Sequence, residues 1–346
     1  TVGFLGYLAV SGNLGGSLGL LATTPYNTAA TYAFSVLPLF ILMGHFAFHG
    51  GISQDLYTTA YKWMGGLPGG LAIATTWAAA AFGAACGSSL ASAATFTRIS
   101  LPEMLRYGYD RKLASGCIAV AGTLAIMIPP SAAMVIYGII TGSNIGRLLI
   151  AGFIPGIISA AVFMMVVIVR VKMNPALAPQ PAQRFGWGER LVSLKGVWGI
   201  LALLLLVMGG IYTGVFTPTE AGAVGAFGAF LIAFVRGGLK GGHMKQALLE
   251  SGQTTAMIFF IIIGAMVFGR FLAISRVGPE FTEFITGLPV PTIVVILGFM
   301  VMYIFLGMIM DAVAMMAITL PVVFPVVMAL GYNDIWFGIL IVKVVE

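Results

Sequence analysis

Between Gly83 and Ser131 the chain is apolar, yet it is interrupted too often to cross a bilayer as straight helices. Leu90 to Leu101, the second arm of a glycine- and serine-rich hairpin, would reach only about 18 Å as a helix. The hydrocarbon layer is about 30 Å thick, so that arm must begin inside it. The next helix starts near Arg111 and loses its ladder at Pro129-Pro130, where two amide donors are missing and Pro130 pushes Pro129 out of helical geometry. Two interrupted backbones are therefore expected to meet at mid-depth: Gly87-Ser88-Ser89 and Pro129-Pro130-Ser131. Irregular backbone at that depth is tolerated only against protein or a polar cavity, and such breaks build ion and substrate sites.

Composition makes a bilayer the natural setting. Hydrophobic residues are 60% of the chain and charged residues 8%, with a mean hydropathy of +1.04, far from soluble averages. The expected class is an all-α polytopic membrane protein. Cys86 and Cys117 suggest neither a disulfide framework nor a metal cluster. The three histidines look scattered, with no ligand spacing, and no carboxylate is spaced to pair with His45 or His49, so these read as interfacial or packed side chains. The run Met308, Met310, Met315 and Met316 suits adaptable packing rather than copper. No nucleophile with a base, zinc spacing or phosphate loop is present, which argues against an enzyme. The chain opens at Thr1 inside an apolar segment, shows no cleavable signal and looks truncated.

Taken in order, Val2 to Ala22 reads as a first apolar segment ended by Thr24-Pro25, and Tyr32 to Phe48 as a full span. Ser53 to Met64 is too polar to cross and carries Tyr57, Tyr61, Lys62 and Trp63, which suits the headgroup layer. After the hairpin and the broken helix, Leu148 to Val169 returns. Arg170 to Lys195, with Pro175, Pro179, Pro181 and Arg184, reads as a connector between two halves. Val197 to Val215 and Ala221 to Val235 span, Gly237 to Ser251 reads as a second surface helix, and Thr254 to Ala273 spans again. An acidic turn with Glu280 and Glu283 follows. Val290 to Met328 is a second hairpin, interrupted at Gly307-Met308-Ile309-Met310-Asp311, and a last helix starts near Ile335. The expected division is 1–68 and 147–251 as scaffold, 69–146 and 252–346 as two transport repeats.

The net charge of +6 would admit nucleic acid, but its placement favours a membrane. If the first hairpin enters from the cytoplasm, Lys62, Arg98, Arg106, Arg111, Lys112, Arg170, Lys172, Arg184, Arg190, Lys195, Arg236, Lys240 and Lys245 all lie inside, as the positive-inside rule requires. Gly108-Tyr109-Asp110 is echoed by Gly331-Tyr332-Asn333. The same offset carries Pro102 onto Pro325 and Ser88 onto Asp311, and sends Pro129 past Glu346. The layout is that of two inverted repeats, a transporter architecture with its site at the repeat interface, and a second broken helix is expected beyond the last residue.

Six ordered motifs carry a family resemblance. They are Leu37-Pro38-Leu39-Phe40-Ile41-Leu42-Met43-Gly44, Gly87-Ser88-Ser89, Ile128-Pro129-Pro130-Ser131 with Val135-Ile136-Tyr137-Gly138, Ala151-Gly152-Phe153-Ile154-Pro155-Gly156, Phe216-Thr217-Pro218-Thr219-Glu220-Ala221 and Gly307-Met308-Ile309-Met310-Asp311. At these residues the chain resembles the large membrane subunit of tripartite ATP-independent periplasmic (TRAP) transporters. Its first hairpin tip, Ala85-Cys86-Gly87-Ser88-Ser89, differs from that family's usual Ser-Gly-Ser. The resemblance implies a bacterial inner-membrane importer with an elevator motion, driven by sodium and without other cofactors. It also implies a periplasmic binding protein that delivers a small organic anion, and a small DctQ-type membrane subunit. A citrate- or dicarboxylate-type sodium symporter without a binding protein is the alternative, with a channel or membrane scaffold further off.

Sodium is a hard cation that takes oxygen ligands. Gly87, Ser88, Ser89, Thr123, Pro129 and Ser131 are the candidate ligands at the first break, although small residues at a tip also serve close packing. Asp311 is the one acidic residue deep in an apolar run, which suits an ion or substrate role and equally an N-cap. Arg270 could hold a substrate carboxylate or snorkel to the interface. Ser89 and Pro130 complete the substrate candidates. Glu220, beside Pro218, reads as a helix-start residue rather than a proton carrier.

Overall fold

The computed structural model describes residues 1–179 and 185–345; Pro181 and Arg184 of the connector lie outside the described residues. Every regular element among them is helical. The α-helices in chain order are α1 (Val2–Ser11), α2 (Leu14–Ala29), α3 (Val36–His49), α4 (Ile52–Met64), α5 (Gly70–Cys86), α6 (Ser89–Arg106), α7 (Arg111–Thr123) and α8 (Ala132–Thr141). Then come α9 (Ile145–Met173), α10 (Trp187–Tyr212), α11 (Pro218–Val235), α12 (His243–Ser275), α13 (Val277–Thr286), α14 (Thr292–Gly307), α15 (Ala312–Ala329) and α16 (Asp334–Val344). Six helical stretches are long and apolar enough to cross a membrane, and much of their apolar surface faces outward, for example at Ile154, Met165, Leu205 and Phe260. This is a multi-pass membrane protein, since such surfaces need lipid around them.

Several segments differ from the sequence expectation, among them the second arm of the first hairpin, which runs through Pro102 from Ser89 to Arg106 rather than from Leu90 to Leu101. The first apolar stretch is two helices, because Gly12 takes a left-handed conformation (φ 63°) and Asn13 caps α2 by accepting from the Gly16 amide at 3.0 Å. Pro25 does not end α2. In the turn before it, Thr23 and Thr24 hydroxyls donate to the Gly19 and Leu20 carbonyls, and the helix runs on to Ala29. Gly237–Ser251 is not a separate surface helix, since α12 continues from His243 to Ser275. Ser251 donates to the Ala247 carbonyl at 2.6 Å within it, and the single Gly252 costs a helix only about 1 kcal/mol. The acidic turn is itself helical, α13, with Glu280 in its first turn.

The chain divides into two compact units. One holds Thr1–Leu37, Ala133–Ala151 and Gly252–Glu346; the other holds Pro38–Ala132 and Gly152–Ser251. In the second, α4 packs along α10. Thr59 donates to the Ser193 carbonyl at 2.9 Å, Trp63 donates its indole N–H to the Arg190 carbonyl at 3.1 Å, and Asp55 pairs with Arg236. The connector is bound rather than loose at Leu177, whose carbonyl accepts the Asp110 amide at 2.9 Å. In the first unit Tyr137 of α8 is fully buried and donates its hydroxyl to the Asp334 carbonyl at 2.8 Å.

Each unit contains one hairpin, and their local structures register on the offset read from the sequence. Helices α6 and α15 begin at Ser89 and Ala312 and end at Arg106 and Ala329, each with an internal proline at the matched place, Pro102 or Pro325, and α15 with a second at Pro321. Ser88 and Asp311 cap them. The turns that follow use Gly108 (φ 76°) and Gly331 (φ 82°), a conformation that favours glycine. Asp110 then caps α7 and Asn333 caps α16. No role for the tyrosines between was legible in the sequence. Tyr109 accepts a hydrogen bond from the Leu71 amide at the start of α5 (3.2 Å), and Tyr332 pairs with Thr292 at the start of α14 (3.2 Å). Each tyrosine thus ties the end of its hairpin to the beginning. Burial pushes the Tyr109 phenol up to about 12, so it stays neutral in this role.

Leu71 lies in the first turn of α5, where amides have no helical partner. Losing the buried acceptor in Tyr109→Phe is expected to destabilise that end by about 1.4 kcal/mol, roughly a tenfold increase in amide hydrogen exchange at residues 70–73. Tyr332→Phe, at an exposed pair, should change exchange at residues 292–295 by less than threefold. Equal effects at both tyrosines would contradict this assignment.

Candidate functional site

The hairpin tip is shaped by two adjacent caps. Gly87 ends α5 in the left-handed region (φ 59°) and donates to the Gly83 carbonyl at 2.7 Å. Ser88 then turns to an extended conformation, and its hydroxyl accepts from the Ala91 amide at 3.4 Å. Opposite the tip, α7 gives way after Thr123 to a 3-10 turn, Leu124–Ile126, and regular helix resumes only at Ala132. The break between them is Met127 to Ser131, buried throughout, with a cis bond between Pro129 and Pro130.

Tip and break meet at backbone distance. A β-carbon on Gly87 would sit 3.2 Å from both the Pro130 carbonyl oxygen and the Ala132 amide nitrogen. On the other side, a β-carbon on Gly44 of α3 would lie 2.6 Å from the Cys86 Cα, so the glycine that closes the Leu37–Gly44 motif lets α3 press directly on the tip. The Pro155-Gly156 step of α9 likewise stands against the Met127 carbonyl. Ala80, Ala84, Leu124, Ile128 and Ala160 form a buried apolar cluster under the contact. Four of the sequence motifs therefore converge on one place in this unit.

Of the expected ligands, Gly87, Pro129 and Ser131 are buried in the tip–break contact, while Ser88 and Ser89 are half-buried at the tip. The Ser89 carbonyl lies beside Gly122, where an added β-carbon would be 3.2 Å from it, which places Thr123 next to the tip. The Thr123 hydroxyl donates to the Val120 carbonyl at 2.8 Å, leaving its oxygen able to bind a cation. The set is rich in carbonyl and hydroxyl oxygen and holds no charged side chain, the chemistry that suits a small hard cation. Pro130 borders a void of only about 10 Å³ with Met43, Ala84 and Ala85, too small for an organic anion.

Asp311 and Arg270 belong to the other unit. Asp311 is exposed and caps α15, accepting from the Val313 amide at 3.0 Å. Beside it Met308 and Ile309 are 74% and 85% exposed, in contrast to the buried first tip. Arg270 is exposed on α12 and makes no ion pair among the described residues. A cavity of about 560 Å³ between α12, α13 and α15 is lined mainly by apolar groups, with Glu283 as its charged residue, a poor environment for a carboxylate. Glu220 has the helix-start geometry expected of it: its carboxylate accepts from the Thr217 amide and hydroxyl, both at 2.8 Å, in a capping box.

The histidines depart from expectation. His45 and His49, one helical turn apart on α3, both reach Glu250 of α12, at 3.2 and 2.9 Å, and the His243 ring lies 5.8 Å from that of His49. The i, i+4 spacing was visible in the sequence. The carboxylate 201 residues away was not.

Residues 2–346 match the family model described as tripartite ATP-independent periplasmic transporter, DctM component. The chain belongs to that family. It is 36% identical over 334 residues to the C4-dicarboxylate TRAP transporter large permease protein DctM of Pseudomonas aeruginosa, covering 95% of this chain and 77% of that protein. It is 31% identical to the isethionate TRAP transporter permease protein DctMQ of Oleidesulfovibrio alaskensis, covering 93% of this chain and 51% of that one. It is 28% identical to the sialic acid TRAP transporter large permease protein SiaM of Vibrio cholerae, covering 88% and 71%. As a DctM component the chain is the large permease of a tripartite secondary transporter, and the relatives are named as permeases rather than enzymes.

The tip–break contact makes a direct expectation for this DctM component. Gly87→Ala places a side chain on a positive-φ residue and against backbone atoms that cannot rotate away, a cost of about 1–3 kcal/mol. Ser88→Ala removes one long cap bond and should cost about 0.5–1 kcal/mol. Thermal unfolding in detergent should rank Gly87→Ala well below Ser88→Ala; the reverse order would mean that the contact is not tight.

Proposed function

We propose that this DctM component is a sodium-coupled importer subunit in the bacterial inner membrane, moving a small organic anion delivered by a periplasmic binding protein and working beside a small membrane subunit. The observation that carries the reading is the contact of Gly87 with the Pro130 carbonyl and the Ala132 amide, buried irregular backbone with serine and threonine hydroxyls at its edge. Backbone of this kind is retained within a bilayer where it coordinates ions or substrate. The family description supports the binding-protein arrangement through the word tripartite. The relatives named for C4-dicarboxylates, isethionate, 2,3-diketo-L-gulonate and sialic acid support a small anion as cargo.

The anion sets the energetics. A negative interior opposes its entry by about 2.3 kcal/mol per charge per 100 mV, so at least two sodium ions per monovalent anion would make import net positive and voltage-driven. Gly87, Ser88, Ser89, Thr123, Pro129 and Ser131 are the proposed inner sodium ligands, with Ser89 and Pro130 toward substrate. Asp311 would act at the second tip in ion or substrate binding, and Arg270 toward the anion. The matched local structures of the two hairpins support segments 69–146 and 252–346 as inverted repeats moving between scaffold segments 1–68 and 147–251, in an elevator motion.

Uptake in proteoliposomes containing the transporter, its small subunit and its binding protein should require sodium and rise with an inside-negative potential. Unchanged uptake when potassium replaces sodium under a fixed proton gradient would sink the reading, and uptake without the binding protein would favour the citrate-type alternative. Asp311→Asn keeps the cap and loses only the charge, so a pure cap should leave the half-saturating sodium concentration within about twofold. An ion-binding role should raise it severalfold, more than Ser88→Ala does.

A further inference from the structure

We propose that His45, His49 and Glu250 form a binding site for a divalent transition-metal ion of the zinc class, at the end of α3 and the start of α12. The site is separate from the tip–break contact and does not rest on the sodium reading. His45 Nδ1 and His49 Nε2 both converge on Glu250 Oε2, at 3.2 and 2.9 Å, and the three donor atoms lie within 4.8 Å of one another. A zinc-class ion held at 2.0–2.2 Å keeps its ligands about 3.0–3.5 Å apart, so the oxygen-to-nitrogen spacings already match. Only the two nitrogens, no more than 4.8 Å apart, need to draw together, by about 1.3 Å at most to enter that range, which imidazole rotation supplies.

The donor set is selective in kind. Two imidazoles and one carboxylate suit a borderline ion and are a poor cage for sodium or calcium, which prefer all-oxygen shells. The imidazoles come from consecutive turns of one helix and the carboxylate from another, so an ion would fasten α3 to the first turns of α12. His49 is well buried, with its side chain 7% exposed, while His45 and Glu250 at 20% and 34% leave a path for the ion and room for water as a further ligand. His243 adds a neighbour whose Nδ1 is 2.9 Å from the Gly238 carbonyl. A carbonyl only accepts, so Nδ1 carries the proton and Nε2 is left in its metal-binding form.

Chelator-stripped protein in detergent should bind one Zn²⁺ per chain by calorimetry, and one Co²⁺ with visible bands of a nitrogen- and oxygen-ligated ion. Zn²⁺ should raise the unfolding temperature of the parent protein. His49→Ala and Glu250→Gln should each weaken Zn²⁺ binding at least tenfold and abolish that rise. Glu250→Gln is the control for folding, because its amide oxygen can still accept from both imidazoles; its metal-free unfolding temperature should match the parent. Absence of saturable binding would overturn the proposal and leave a hydrogen-bonded clamp. Binding that survives both substitutions, or a sulfur-to-cobalt charge-transfer band pointing to Cys86 or Cys117, would overturn it too.

Discussion

The approach of Gly87 to the Pro130 carbonyl and the Ala132 amide is the constraint on which the larger unit depends. Backbone that leaves regular helix inside a membrane must find partners within the protein, and here two such stretches are brought face to face and covered. Gly44 lets α3 lie on the outer side of the tip, Gly156 brings α9 to the other side of the break, and Ala80, Ala84 and Leu124 fill the space beneath. Larger residues at these points would hold the helices apart and leave carbonyls facing lipid. The site and the packing core of this unit are one arrangement.

The two hairpins use one local design in different surroundings. Caps, proline position, left-handed glycine and tyrosine tie recur at matching places, yet Ser88 caps a half-buried tip and Asp311 an exposed one. A hydroxyl can be desolvated at modest cost, whereas a carboxylate taken out of water needs a cation or several donors. The two tips therefore pose different electrostatic problems although their backbones agree.

Much of this was legible in the chain because prolines, glycines and caps act locally. Pro129-Pro130 and Gly87-Ser88 announced their breaks, and the offset from Gly108 to Gly331 matches the second arms of the two hairpins, Ser89–Arg106 and Ala312–Ala329. What local signals could not carry was misread. Pro25 looked like a helix end but sits inside α2, since one proline withdraws a single amide, the partner of the Leu21 carbonyl, and the helix runs on to Ala29. Ser251-Gly252 looked like a boundary inside what is a single helix. The pairing of His45 and His49 with Glu250 depends on where two distant helices lie, and no spacing in the sequence encodes it.

The prolines within the second arms have a mechanical side. Pro102 and Pro325 each withdraw an amide from the helical ladder, leaving the carbonyls of Arg98 and Pro321 without their usual partner. Each arm is therefore weakened at the same distance from its tip, about one turn before it ends, and α15 a second time one turn earlier, at Pro321. A load applied at either Gly-Tyr turn would be taken up as flexure at the proline. The strain would stop there, and the geometry of the tip would be preserved while the far end of the arm gave way.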